Sequence, residues 1–287
     1  MEDLDNDDDQ VPVTALPPLP PLSLAQKLPR GYLSTSQATQ YLKCGAAYEF
    51  RYIFDEQVKR NSYMVQGSAL HKGAEMLHLV MMDGGTIPPL EYTIESYVDA
   101  HKELFDEDVT IEEEDISIGH IKDVGVAMIS VYHQGATGQL IDYPRVYPVA
   151  VEKKYYVALQ PEAREAIPFL AIVDLEEPHG VRDVKTKRQK GSQAETDNSL
   201  QLSLYAAATG KPDVALHQLI KPTKTMGPRY LRTGNVRTPG EQQHAIELLA
   251  DVAEGIVAGH FPRSTPDAWW CTERWCAYWG QCRGKKW

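Results

Sequence analysis

The four cysteines of this 287-residue chain constrain its fold more than any other feature. Cys271, Cys276 and Cys282 lie within WWCTERWCAYWGQC, and Cys44 stands 227 residues before the first of them. Thiols placed in this way suggest one four-ligand site that ties the two ends of the chain together and closes everything between into a loop. The N-terminus is acidic and proline-rich, without the basic leader or apolar core of a signal peptide. No apolar run approaches the roughly 20 residues of a membrane span. A cytoplasmic protein without membrane contact is expected, and there cysteines serve as metal ligands or free thiols more often than as disulfides.

Residues 1–30 are expected to form a disordered tail, because six prolines and an acidic run oppose regular structure. Residues 31–145 carry helical spacing: a first helix from Leu33, capped by Ser34 or Ser36 and stopped at Cys44-Gly45, then helices over 66–78, 93–105 and 118–133. Tyr48, Phe50, Tyr52 and Phe54 read as a core aromatic segment, and IEEED (111–115) as a solvated linker. At 146 the apolar period shortens to two. Strands are expected over 146–157, 169–177, 181–186 and 214–220, with helices over 195–209 and 240–258, the last ended by Gly259. The expected class is α/β: a core sheet flanked by helices over 146–260, a helical N-terminal region, and a C-terminal clamp of residues 261–287 with Cys44.

Asp174 lies within the apolar strand LAIVDL, where an unpaired carboxylate is costly. The turn Pro178-His179-Gly180 leads to Asp183-Val184-Lys185. Strand alternation puts Asp183 and Lys185 on one face and turns Val184 to the core, so a hairpin brings two carboxylates and an ammonium together. Hard divalent cations take such oxygen ligands, and the Val184 carbonyl can add another. Lys187, Arg188 and Lys190 follow, a basic edge suited to phosphate. Gln201 and Tyr205, four apart on a helix, share a face opposite its apolar stripe. The net charge of −11 disfavours a protein that coats nucleic acid, but six of those charges sit in residues 1–10. A basic groove elsewhere is compatible with that balance.

GSALH (67–71), IVD (172–174), DVKT (183–186) and QLSLY (201–205), preceded by LSTSQATQYLKCGAAYEFRY (33–52), resemble in order and spacing the RecB-like nucleases of the PD-(D/E)XK superfamily. The one-plus-three cysteine plan resembles its iron–sulfur branch, which includes CRISPR-associated exonucleases, AddB-type helicase–nuclease subunits and phage exonucleases. Ala171 stands where that family usually has glycine, Gly45 replaces a frequent proline, and four residues separate Cys271 from Cys276 where two are usual.

The resemblance implies a restriction-endonuclease-like core with His71, Asp174, Asp183 and the Val184 carbonyl as metal ligands. It implies Lys185 as the catalytic lysine, with Gln201 and Tyr205 positioning water or DNA. Glu152 is an accessory acid or a solvated strand residue. For the cysteines, a [4Fe–4S] cluster is expected, shielded by Trp269, Trp270, Trp275, Tyr278 and Trp279, with zinc or unligated thiols as alternatives.

The function expected is a Mg²⁺- or Mn²⁺-dependent DNA exonuclease, with Lys221, Lys224, Arg229, Arg232 and the 187–190 run as candidate phosphate contacts. A helicase, recombinase or CRISPR integrase is the kind of partner that would supply unwinding or context. The competing readings are a non-catalytic DNA-end-binding adaptor that keeps the fold and a zinc-binding structural interaction protein.

Overall fold

Where the apolar period changes near residue 146, the structure changes from helices to a sheet. The computed structural model describes residues 23–105, 109–111 and 117–283. In chain order its elements are α1 (Leu24–Lys27), β1 (Leu33–Ser34), α2 (Thr35–Lys43), α3 (Gly45–Tyr48), a π-helical turn (Glu49–Ile53), α4 (Ser62–Gly84), α5 (Leu90–Leu104), α6 (Ile118–Ala136), β2 (Ala150–Leu159), β3 (Ile167–Glu176), β4 (Gly180–Lys187), α7 (Gln193–Asp197), α8 (Leu200–Thr209), β5 (Asp213–Ile220), β6 (Arg229–Val236), α9 (Pro239–Val257) and α10 (Trp279–Cys282).

The strands form one mixed sheet in the order β1-β3-β4-β5-β6, with β2 paired to β3 off that path. β1–β3 and β4–β5 are parallel; β2–β3, β3–β4 and β5–β6 are antiparallel. Helices α2, α8 and α9 pack on one face, against Phe169, Ala171, Val181 and Val214. Helices α4, α5 and α6 cover the other, against Leu175, Val184 and Leu219. Val181 and Val184 lie an odd number of residues apart and therefore point to opposite layers. Each such fully buried branched side chain contributes about 1.5–3 kcal/mol. Among the described residues, no helix is long and apolar enough to cross a membrane.

The structure departs from the sequence reading in several places. Order begins before residue 30: α1 forms behind Ser23, the Leu24 N–H donates to Glu165 Oε1 at 2.7 Å, and Leu28 is buried in the core. Apolar burial there outweighs the prolines upstream. The rest of the expected tail (1–22), and residues 112–115 of the acidic linker, lie outside the described residues. The single helix expected over 195–209 is two, because Asn198 donates to the Ala194 carbonyl and closes α7 while Ser199 caps α8 at Leu202. Within the aromatic segment expected to be core, Tyr48 is fully buried but Phe54 is exposed, since the π-helical turn carries successive rings round its axis. The short β1 and the polar edge strand β6 lack the apolar alternation that would mark them in sequence.

Helix α2 stops where the sequence places its end, at Lys43 with Cys44 as C-cap, but Gly45 is not a left-handed cap. Cys44 is extended (φ −167°, ψ 107°), and Gly45 opens α3. A Cβ at Gly45 would stand 2.6 Å from Pro262 N and 2.8 Å from the Phe261 carbonyl carbon, backbone atoms that cannot swing aside. The glycine lets the C-terminal segment cross α3, where the Ala46 N–H donates to the Pro262 carbonyl at 3.3 Å and the Tyr41 hydroxyl to that of His260 at 2.6 Å. Gly45→Ala is expected to cost about 2 kcal/mol, seen as a melting temperature lower by about 5 °C. An unchanged melt would show that residues 261–262 yield.

Candidate active site

The β3–β4 hairpin ladder holds only Leu175↔Arg182 and Glu176↔Val181. The same register carried one step further sets Asp174 opposite Asp183. There the ladder gives way to a side chain: Asp174 Oδ2 accepts from the Val184 N–H at 2.8 Å. Asp174 is also where β3 changes faces, since Val173 joins one core layer and Leu175 the other. On its other side the β2–β3 ladder runs Val151↔Leu175 and then Lys153↔Val173, skipping Glu152, whose φ is +48°. A backbone irregularity of this kind re-aims side chains. Here it turns Glu152 and Asp174 toward α4, where His71 Nδ1 lies 3.5 Å from Asp174 Oδ2.

His71, Glu152 and Asp174 form a set whose ligand atoms all lie within 4.8 Å of one another. They line a cleft of about 720 Å³ with Tyr63, Lys72 and Glu75. Burial holds His71 below its ordinary value and favours the neutral imidazole, against the opposing pull of Asp174. Burial, then Asp174 and Glu75, pushes Glu152 up to about 7. An excess of carboxylates drawn out of water lacks positive charge, and a divalent cation would supply it.

Asp183 is 1% exposed and points to the α8 side. Its Oδ1 accepts from Lys185 Nζ at 3.0 Å and from Gln201 Nε2 at 2.7 Å, and Gln201 donates also to the Tyr205 hydroxyl at 2.9 Å. Its Oδ2 lies 2.9 Å from Lys185 Nζ without a well-aligned hydrogen bond and is otherwise an orphaned buried oxygen. Burial pushes Asp183 up to about 7 against the opposing pull of Lys185. The structure thus brings together His71, Asp174, Asp183, Val184, Lys185, Gln201 and Tyr205, with Asp183 set among Lys185 and Gln201 rather than within the tight trio. Gln201 and Tyr205 reach the site through Asp183.

Residues 32–283 match the sequence pattern of the PD-(D/E)XK nuclease superfamily. The chain belongs to the PD-(D/E)XK nuclease superfamily. This PD-(D/E)XK nuclease shares its fold with the crystal structure of a candidate exonuclease from Eubacterium rectale, at 11% identity and a TM-score of 0.51, over 83% of this chain and 85% of that one. The structure of SSO0001 aligns at 12% identity over 88% of this chain and 96% of that one, with a TM-score of only 0.36. No curated protein matches. Members of the superfamily generally use divalent metals, and the O,O,N donor set of Asp174, Glu152 and His71, with an orphaned carboxylate oxygen beside it, fits one.

Glu152 is the residue of this PD-(D/E)XK nuclease whose place the sequence left open. Nothing in AVEKKYYV marks it, and only its register opposite Asp174 could have found it. Two candidate phosphate contacts are otherwise engaged: Arg232 bonds the Tyr230 hydroxyl and the Pro144 carbonyl, and Lys187 pairs with Glu195. Lys221 lies 4.5 Å over the ring of Tyr63, at the cleft.

The four cysteines line one small pocket with Phe50 and Tyr278. Burial pushes the Cys276 thiol up, and the other three thiols are near enough to add to it. The expected aromatic shield is incomplete: Tyr278 stacks on Phe50 at 5.3 Å, but Trp269 and Trp275 are 65% and 45% exposed. The surrounding segment consists of turns and one short helix, which offer no apolar face for those rings.

Proposed function

We propose that this chain is a Mg²⁺- or Mn²⁺-dependent DNA exonuclease acting on single-stranded or end-bearing DNA. The observation that carries the reading is the meeting of His71, Glu152 and Asp174 in an open cleft beside the Asp183–Lys185 pair. These three would hold the cation, with Asp183 and the Val184 carbonyl as the further ligands that the resemblance implies. When bound, it supplies a Lewis acid for the phosphodiester and makes a neighbouring water more acidic. Lys185 is poised to orient the attacking water and to stabilise charge growing on the phosphate oxygens. Water attacks phosphorus in line, the P–O3′ bond breaks, and the leaving oxygen takes up a proton. Gln201 and Tyr205 fix the Asp183 carboxylate, and Asp183 fixes Lys185. Exonuclease action is in keeping with the candidate exonuclease from Eubacterium rectale that shares the fold.

Strands labelled at either end, single and double, should be degraded from an end with Mg²⁺ or Mn²⁺ and left whole in EDTA. Intact strands with both metals would overturn the reading. Asp174→Ala is expected to weaken Mn²⁺ binding by about 10–100-fold or more, measured by titration calorimetry.

The cysteine site is read as holding a [4Fe–4S] cluster. What supports a shared metal group is that Cys44, Cys271, Cys276 and Cys282 line one small pocket, since thiolates bind both zinc and iron–sulfur clusters.

A further inference from the structure

All five tryptophans of the chain, Trp269, Trp270, Trp275, Trp279 and Trp287, fall in its last 19 residues. A ring that served only to pack the cysteine site would be buried, yet among the described residues Trp269 and Trp275 are exposed. Their rings meet edge to face at 5.9 Å, and Trp269 meets Trp270 in the same manner at 5.6 Å, so Trp269 is held upright by two neighbours. Cations accompany them. Lys43 Nζ lies 5.8 and 5.7 Å from the ring centroids of Trp269 and Trp270, and the Arg274 guanidinium 5.0 Å from that of Trp275. In a chain of net charge −11, residues 261–287 carry five basic residues against Asp267 and Glu273. Beside the rings, a cavity of about 220 Å³ is lined by Lys43, Arg51, Trp270, Trp275 and Met64. Met64 also lines the cleft that holds His71 and Asp174, so the two are contiguous.

We infer that this surface is a second nucleic-acid site, a stacking platform for the unpaired bases of a strand whose scissile phosphate lies in the cleft. Rigid aromatic faces interleaved with lysine and arginine suit single strands, because every base has a π-face and every phosphate a charge. Duplex DNA keeps its bases stacked on one another and offers no such face along its length. The cysteine clasp then plays a second role, because by pinning residues 271–282 to α2 and α3 it holds the platform at the mouth of the cleft. The inference rests on the nuclease reading of that cleft.

The test uses the full-length protein with its cysteine site as purified, in EDTA so that no strand is cut. A thymidine oligonucleotide long enough to span both sites should quench the intrinsic tryptophan emission, which reports on this segment alone. An abasic strand of equal length and charge should bind more weakly and quench little. Trp269→Ala and Trp275→Ala together should weaken oligonucleotide binding about tenfold or more, measured by fluorescence anisotropy. Trp269→Phe, which keeps a π-face, should restore most of the loss. Both rings are exposed, so truncation leaves the core intact. Equal affinity for abasic and normal strands, or full affinity in the double variant, would overturn the inference and assign the exposed rings to some other partner. Wild-type cleavage assayed with Mg²⁺ or Mn²⁺ separates the two readings. Its absence sinks the nuclease proposal, whereas cleavage with indifferent tryptophan variants sinks only the platform.

Discussion

Asp183→Asn is expected to lower cleavage by on the order of a thousandfold and, in the metal-free protein, to raise the melting temperature. The first effect follows from the position of Asp183 between Lys185 and Gln201 beside the cleft. The second follows from its burial, which pushes the carboxyl up to about 7. A group whose folded pKa is raised contributes stability below its unfolded pKa, near 3.9, and loses that contribution as pH rises toward the folded value. At neutral pH the ionised carboxylate is therefore a liability that the neutral amide lacks. The difference in melting temperature between variant and wild type in EDTA should be small near pH 4, grow through pH 5 and 6, and level off above 7. A variant that melts lower at pH 7.5 would mean that the Lys185–Asp183 pair outweighs the desolvation. A variant that cleaves at the wild-type rate would remove Asp183 from the site. Stability given up for activity is what a cation-binding carboxylate predicts.

The second large effect belongs to the clasp. Cys44→Ser is expected to abolish the brown colour that the proposed cluster would give and to destabilise the protein by about 5 kcal/mol, the chain entropy of releasing a cross-link that closes so long a loop. The melting temperature should fall by about 10 °C or more, with insolubility as the first symptom. Amides near the crossing, above all Ala46, whose N–H donates to the Pro262 carbonyl, should lose protection from hydrogen exchange before the sheet does. A colourless wild-type protein with one zinc per chain would replace the cluster by zinc and leave the cross-link argument standing. A serine variant as stable as wild type would remove the clasp itself.

How much of this can be read without coordinates differs from element to element. The hairpin that sets Asp174 against Asp183 is legible, because period-two alternation and a Pro-His-Gly turn are local and leave little choice of register. The α4 helix around His71 and the α9 stripe from Ala245 to Ile256 are legible for the same reason, a periodicity written in consecutive residues. The split between α7 and α8 is hidden because a Ser199 cap inside a helical pattern looks like an ordinary polar helix position. The strands β1 and β6 are hidden because their pairing partners, not their own residues, make them strands.

The sequence by itself determined which side chains could do chemistry: two carboxylates and a lysine on adjoining strands, a histidine and a Gln–Tyr pair on helices, and four thiols at the two ends. Tertiary structure alone decided how they meet. Glu152 joins His71 and Asp174 because a positive φ opposite Asp174 turns both carboxylates toward α4. Asp183 leans instead on Lys185 and Gln201. Trp269 and Trp275 face solvent because the turns of the C-terminal segment give them no core to enter. Residue type and local period are properties of a few consecutive positions. The distance between Glu152 and His71 is a property of the whole packed chain, set by how the sheet twists and where the helices land on it.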